Sequence, residues 1–173
     1  MKSDKAIINA LNDVLMAELT AINIYYIHYK MQEDWGYDKI ASHSREESMG
    51  EMKHADQCIE RIIFLDGAPD MQKYDTVLVG NTVEEQLKNQ YKIELAHVTR
   101  VRKHIKTCHD KSDFSTKEIL DGILKDTEDP EGSGTLNYSW QTSTDLVNWI
   151  EVGTDSTYTL TSSEEGKKVR AII

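Results

Sequence analysis

The sequence predicts a mainly α-helical protein: a four-helix bundle with a truncated fourth helix, followed by a short β segment. Three long stretches carry apolar residues at steps of three and four, and a fourth, shorter stretch does the same. Near Lys125 the pattern changes to alternating residues rich in Thr, Val and Tyr. We therefore divide the chain into a helical domain (1–125), a linker (126–134) and a β segment (135–173).

The first two helices are predicted over 4–34 and about 37–66, with a tight Gly-containing turn between them. Such a short turn favours an antiparallel hairpin. The second helix stops at 67–69, which reads Gly-Ala-Pro. Residues 68–81 then form a polar connection, long enough to cross over along a bundle.

A third helix is expected from the capping box Thr82–Glu85 to about Asp110. The fourth should begin near a second box, Ser115–Glu118, and break off at the loop sequence DPEGSG. A short fourth helix leaves the other three uncovered on one side, so we expect contacts between copies there. The apolar stripe predicted for the third helix comprises Val83, Leu87, Tyr91, Val98, Val101 and Ile105.

Each long helix carries one carboxylate at a position where its stripe calls for an apolar residue: Glu18, Glu51 and Glu94. His54 follows Glu51 by three residues, so both lie on one helix face. Buried charges need a partner or a metal, and inward-facing E-x-x-H pairs build di-iron sites in bundles. A purely hydrogen-bonded cluster is the alternative. The other histidines are expected on the surface: His28, His43, His97, His104 and His109.

Charge and composition limit the classes of molecule that the protein is expected to bind. The chain has 20 basic and 30 acidic residues and a net charge of −10, which speaks against nucleic-acid binding. Two cysteines give no disulfide framework. The N-terminal sequence lacks the apolar core of a signal peptide, and no apolar run is expected to span a membrane. The predicted location is the cytoplasm.

Residues 1–124 resemble bacterioferritins, the haem-containing members of the ferritin-like family. The matching runs are NDVLMAELTAINIYYIHYKMQEDWG, ASHSREESMGEMKHADQCIERIIFLDGAPD and NQYKIELAHVTRVRKHI. The resemblance implies a di-iron ferroxidase centre, two-fold dimers, and a hollow shell of roughly 24 subunits that stores ferric mineral. By resemblance, the iron ligands are Glu18, Glu51, His54 and Glu94, with Tyr25 beside the iron pair and Met52 as the ligand of haem b.

The fourth helix departs from that family, because the second E-x-x-H pair it supplies is missing. Glu128 stands near the expected glutamate, and Glu131 takes the place three residues on. The second iron would then lack an imidazole, so weak or single-site iron binding and slow oxidation are expected. Residues 126–173 resemble part of an immunoglobulin-like repeat of bacterial surface proteins. On that interpretation the chain is a fusion or chimera, and Glu128 resembles a ligand by accident.

Three functions stay open at this stage. The first is iron storage with an impaired oxidation centre. The second is an assembly or binding module, in which the β segment makes the contact and the helices serve as a scaffold. The third is a haem-binding dimer without iron oxidation. Iron uptake separates the first from the others, and a Soret band separates the third from the second.

Overall fold

Four helices form the N-terminal part of the chain, and three short strands follow. The computed structural model describes residues 4–128, 139–154, 159, 162 and 166–172. The chain divides into two units, Met1–Glu128 and Asp129–Ile173. The elements are α1 (Lys5–Asp34), α2 (Asp38–Phe64), α3 (Val83–Asp110), α4 (Phe114–Glu128), β1 (Ser139–Ser143), β2 (Ile150–Gly153) and β3 (Lys168–Ile172).

Side-chain pairs between the helices fix their directions. Lys111, just after α3, pairs with Asp4 at 3.0 Å, whereas Gln90 near the start of α3 contacts His28 of α1 at 3.0 Å. These two helices are therefore antiparallel. Ser44, near the start of α2, donates to Gln32 near the end of α1, so this pair forms the predicted antiparallel hairpin.

The connection between α2 and α3 runs along α1. The Asn12 side chain donates to the Ala68 carbonyl, the Asp75 amide donates to Thr20, and Leu78 O accepts from His28 at 3.1 Å. Contacts with α1 thus advance from residue 12 to residue 28 as the connection proceeds. The predicted crossover is confirmed.

Helix α4 begins at a different cap from the one predicted. The Thr116 amide donates to Asp113 Oδ1 at 3.0 Å, and Arg61 of α2 donates to the same carboxylate at 2.9 Å. The side chain that caps α4 is therefore Asp113, and the predicted box Ser115–Glu118 is wrong. The box at the start of α3 is confirmed, because the Glu85 amide donates to the Thr82 hydroxyl at 3.2 Å.

The short length of α4 decides which part of α3 is covered. Glu128, the last residue of α4, pairs with Arg102 at 2.5 Å. Leu87 and Tyr91 lie more than two turns before Arg102 and are 46% and 68% exposed. Their predicted place in the core is therefore wrong. The buried residues of α3 are Gln86, Gln90, His97, Val101, His104 and Cys108.

The apolar core of the helical unit lies on one side of a polar middle layer, toward the start of α1 and the ends of α2 and α3. Its members are Ile7, Leu11, Val14, Leu15, Leu19, Ala55, Cys58, Ile62, Leu65, Val101, Cys108, Leu120 and Ile123. By length and composition alone α1 could cross a membrane, contrary to the expectation that no run could. Its apolar face is buried against the other helices, as in the core helix of a bundle.

The second unit contains a three-stranded antiparallel sheet in the order β2-β1-β3. Strand β1 pairs residue by residue with β3, from Ser139 opposite Ile172 to Ser143 opposite Lys168. Its pairing with β2 is irregular between Trp140 and Gln141. The predicted β content is confirmed here, while residues 136–138 and most of 155–165 lie outside the described residues.

Candidate metal centre

Carboxylate and imidazole side chains from three helices meet in the polar middle layer of the bundle. Helix α1 brings Glu18, whose side chain is 1% exposed, and α2 brings Glu51 and His54 one turn apart. Helix α3 brings Glu94 and His97, with the same spacing of three residues. Residues three apart lie on the same face of a helix. The two side chains of each Glu–His pair therefore project from the same face of their helix.

The three groups on α1 and α2 are close enough to share one cation. His54 Nδ1 lies 3.0 Å from Glu51 Oε2 and 3.9 Å from Glu18 Oε2. One ligand atom from each of the three residues lies within 4.8 Å of the others. Two carboxylates and one imidazole form a donor set suited to first-row divalent metals such as Fe²⁺.

Glu94 is oriented by a tyrosine from α1. The Tyr25 hydroxyl donates to Glu94 Oε1 at 2.6 Å, a short bond of the charge-assisted kind. Burial raises the pKa of Tyr25 far above its usual range, and the charge of Glu94 adds to this. Tyr25 is therefore a neutral, permanent donor that fixes one oxygen of Glu94.

His97 is buried beside Glu18, which corrects the prediction that it lies on the surface. Its Nε2 lies 3.1 Å from Glu18 Oε1, and its side chain is 8% exposed. The expectation was wrong because the stripe of α3 was assigned to its Leu87–Tyr91 face. A signal was present in the sequence, since Glu94 and His97 repeat the E-x-x-H spacing of Glu51 and His54.

Burial dominates the electrostatics of the cluster. Desolvation raises the pKa of Glu18 to about 7 and also raises the pKa values of Glu51 and Glu94. For His54, burial alone would lower the pKa, but the hydrogen bond with Glu51 and the charge of Glu18 raise it to about 9. Burial lowers the pKa of His97, so its ring stays neutral.

Several buried polar atoms of the cluster lack a partner. Among the described residues, neither oxygen of Glu18 makes a hydrogen bond of normal geometry, and the same holds for Nε2 of His97. Leaving such atoms unpaired is costly, so groups of this kind in a native fold call for an explanation. Divalent cations bound at the cluster would give these atoms partners. The residues present therefore fit a metal ion.

A cavity of about 420 Å³ gives access to the cluster from the side of the crossover. Glu51, Glu94 and His97 contribute to its wall at the inner end. The crossover contributes Asp75, whose carboxylate pairs with Arg100 at 2.8 Å. The cavity is large enough for several water molecules and a hydrated ion.

The helical part of the chain matches the family model described as a ferritin-like domain over residues 8–132. A bacterioferritin from Mycobacterium bovis is 38% identical over 129 residues, which are 75% of this chain and 81% of that protein. A bacterioferritin from Rhodobacter capsulatus is 41% identical over 128 residues, which are 74% of this chain and 80% of that protein. This chain belongs to the ferritin-like family.

The ferritin-like match covers the four helices and ends at residue 132. The likeness of residues 126–173 to an immunoglobulin-like repeat therefore stays a prediction, as does the idea of a chimera. What the structure shows of that part of the chain is the three-stranded sheet.

In this ferritin-like chain α4 adds a different carboxylate from the one predicted. Glu128 is not near the cluster, because its carboxylate pairs with Arg102 on the surface. Asp126 lies instead 3.4 Å from His54 Nε2. A second carboxylate on the far nitrogen of a ligand histidine is a common arrangement, since it orients the ring. Glu131 lies outside the described residues.

The remaining histidines divide into two groups. His43 and His109 are exposed, as predicted. His28 and His104 are buried, which corrects the expectation that they lie on the surface. His28 contacts Gln90 and Leu78 O, and His104 lies 2.6 Å from Asp13. Both nitrogens of His28 have partners, whereas His104 is held through Nε2 alone, and its Nδ1 has no partner among the described residues.

Replacing Glu18 by Gln should stabilise the metal-free protein and remove its response to metal. The substitution takes away a buried charge whose desolvation is only partly offset by His54, so at about pH 8 the free energy of unfolding should rise by about 1 kcal/mol. Denaturation curves with and without Mn²⁺ measure both effects. Mn²⁺ should raise the melting temperature of wild type and leave that of the E18Q protein unchanged.

Glu33→Gln is the matched control, since Glu33 is an exposed acid on the same helix. It should leave both the metal-free stability and the Mn²⁺ response nearly unchanged. An E18Q protein that is less stable than wild type without metal would contradict the view that this carboxylate is kept for binding.

Proposed function

We propose that this protein stores iron in the manner of the bacterioferritins, and that it binds ferrous iron at Glu18, Glu51, His54 and Glu94. The observation that carries the proposal is the buried cluster of unpaired carboxylate and imidazole atoms in a ferritin-like bundle. Supporting it, the relatives from Mycobacterium bovis and Rhodobacter capsulatus are named bacterioferritins. The two buried, unpaired cysteines fit a cytoplasmic location.

The charges of the cluster suit a divalent ion. Three carboxylates that repel one another in the metal-free protein would each gain a cation as partner. His54 would bind through Nδ1, the nitrogen that faces both Glu18 and Glu51. Its other nitrogen faces Asp126, which would keep the ring in the orientation that metal binding needs.

The same cluster supports oxidation of the bound iron. Each Fe²⁺ loses one electron to become Fe³⁺, while O₂ takes up two electrons and two protons and leaves as H₂O₂. Two ferrous ions are therefore consumed for each O₂. The two protons come from water in the cavity, because carboxylates that bind iron have already lost theirs. Because α4 supplies no ligand of its own near Glu94, we expect the oxidation to be slow.

An iron titration tests the proposal. Ferrous iron is added in air to iron-free protein, and the near-ultraviolet absorbance is followed against iron added per chain. Wild type should show a saturable phase at low iron-to-chain ratios. His54→Ala should lose this phase because it removes an imidazole facing two carboxylates.

His43→Ala serves as the control, because His43 lies on the same helix but is exposed and distant from the cluster. It should behave as wild type. A His54→Ala protein with the same saturable phase as wild type would overturn the proposed site.

A second candidate function is haem binding between two copies of the chain, with Met52 as the axial ligand from each. Met52 is 47% exposed on the outer face of α2, one position from Glu51, so its sulfur is free to face a partner. A thioether is an established axial ligand of haem iron. Haem b, held by Met52 of each copy, would supply a redox-active iron.

Haem binding can be measured by adding haemin to the haem-free protein and recording the Soret band. We expect one haem for every two chains, and loss of this band in Met52→Ala. Met49→Ala is the matched control, because Met49 is 50% exposed on the same helix. Equal haem binding by the M52A and M49A proteins would exclude Met52 as the ligand.

Assembly of several copies is part of the proposal. The uncovered stretch of α3 exposes Leu87, Tyr91 and Leu95, which follow one another at steps of four residues. Apolar side chains that form such a stripe are commonly covered by another molecule. We propose that further copies of this chain cover it, starting with a two-fold dimer and extending to a shell.

A further inference from the structure

We propose that His97 is a metal ligand, and that it supplies from α3 the second imidazole that the truncated fourth helix does not provide. This inference rests on the proposed function, because it concerns the same cluster. It assigns the second metal position to Glu94, His97 and one oxygen of Glu18.

The carboxylate of Glu18 lies between the two imidazoles. Its Oε2 is 3.9 Å from His54 Nδ1, and its Oε1 is 3.1 Å from His97 Nε2. A carboxylate that presents one oxygen to each of two imidazoles can bridge two metal ions, with one histidine completing each. The arrangement thus defines two positions side by side.

The spacing of the atoms fits metal ligation. Two ligand atoms bound to one metal at about 2.1 Å, and at a right angle to each other, lie about 3.0 Å apart. His97 Nε2 and Glu18 Oε1 are separated by 3.1 Å, and His54 Nδ1 and Glu51 Oε2 by 3.0 Å. Both separations are those expected of neighbouring ligands of one ion.

Helix α3 has on its inner face the same arrangement as α2, a glutamate followed by a histidine three residues later. Glu51 and His54 are three residues apart, and Glu94 and His97 are as well. The Tyr25 hydroxyl donates to Oε1 of Glu94, which leaves Oε2 to bind a metal ion. Since both Glu94 and His97 line the cavity, a metal ion can reach them without any opening of the bundle.

The simpler alternative is that His97 only forms an ion pair with Glu18. One observation weighs against it. Among the described residues, neither His97 Nε2 nor the oxygens of Glu18 form a hydrogen bond of normal geometry, despite their short separation. The imidazole of His97 and the carboxylate of Glu18 lie close together without a hydrogen bond between them, as two ligands of one metal ion do.

Metal binding by untagged protein tests the assignment, with Co²⁺ as the probe because O₂ does not oxidise it under these conditions. Calorimetric titration should give two Co²⁺ per wild-type chain. His97→Ala should lose one of the two, or bind it at least tenfold more weakly. His54→Ala should lose the other.

His104→Ala is the matched control. His104 lies on the same face of α3, is as buried as His97, and pairs with Asp13 outside the cluster. It should bind two Co²⁺. Circular dichroism verifies the fold of each variant, and His97→Gln replaces His97→Ala if the alanine protein does not fold.

Proton NMR of Co²⁺-loaded wild type provides a readout that needs no variant. Each metal-bound imidazole gives one strongly shifted, exchangeable N–H signal, so two such signals are expected. A single signal, or two Co²⁺ bound equally by wild type and both His97 variants, would overturn the assignment of His97. Loss of binding in His54→Ala alone would then leave the proposed function standing, whereas a wild type that binds no Co²⁺ would overturn both.

Discussion

Three carboxylates buried against one another impose the dominant constraint on this bundle. Glu18 is almost inaccessible to solvent, and desolvation by burial raises the pKa values of Glu18, Glu51 and Glu94. Such a layer costs stability unless positive charge enters it. The tyrosine that holds Glu94 and the cavity that reaches Glu51, Glu94 and His97 are both consistent with a cation bound at this layer.

Because the fourth helix is short, the carboxylate and imidazole groups of the cluster come mainly from the other three helices. Helix α4 is anchored at its start by Asp113 and Arg61 and ends at Glu128, at the level of Arg102. Among the described residues, its one side chain at the edge of the cluster is Asp126, whose carboxylate lies 3.4 Å from Nε2 of His54. The second imidazole near Glu18 comes from α3 instead. The bundle thus encloses a mixed carboxylate and imidazole cluster built from α1, α2 and α3.

Much of this could be predicted from the sequence, because a charged residue inside an apolar stripe is a strong signal. Glu18, Glu51 and Glu94 were found in that way, and the helices followed from periodicity and turns. The burial of His97 was missed because Leu87 and Tyr91 seemed the better core residues of α3. Gln86 is buried instead, since its amide pairs with Gln32 of α1. A hydrogen bond between side chains far apart in the sequence does not show up as a pattern of apolar residues.

Anomalous scattering from a crystal grown with Co²⁺ would test the central claim most directly. The account predicts one peak bounded by Glu18, Glu51 and His54, and a second beside Glu94 and His97. A map with no peak in the cluster, or with cobalt only at surface acids such as Glu128, would contradict it. The buried carboxylates would then be a polar layer of the bundle and not a metal centre.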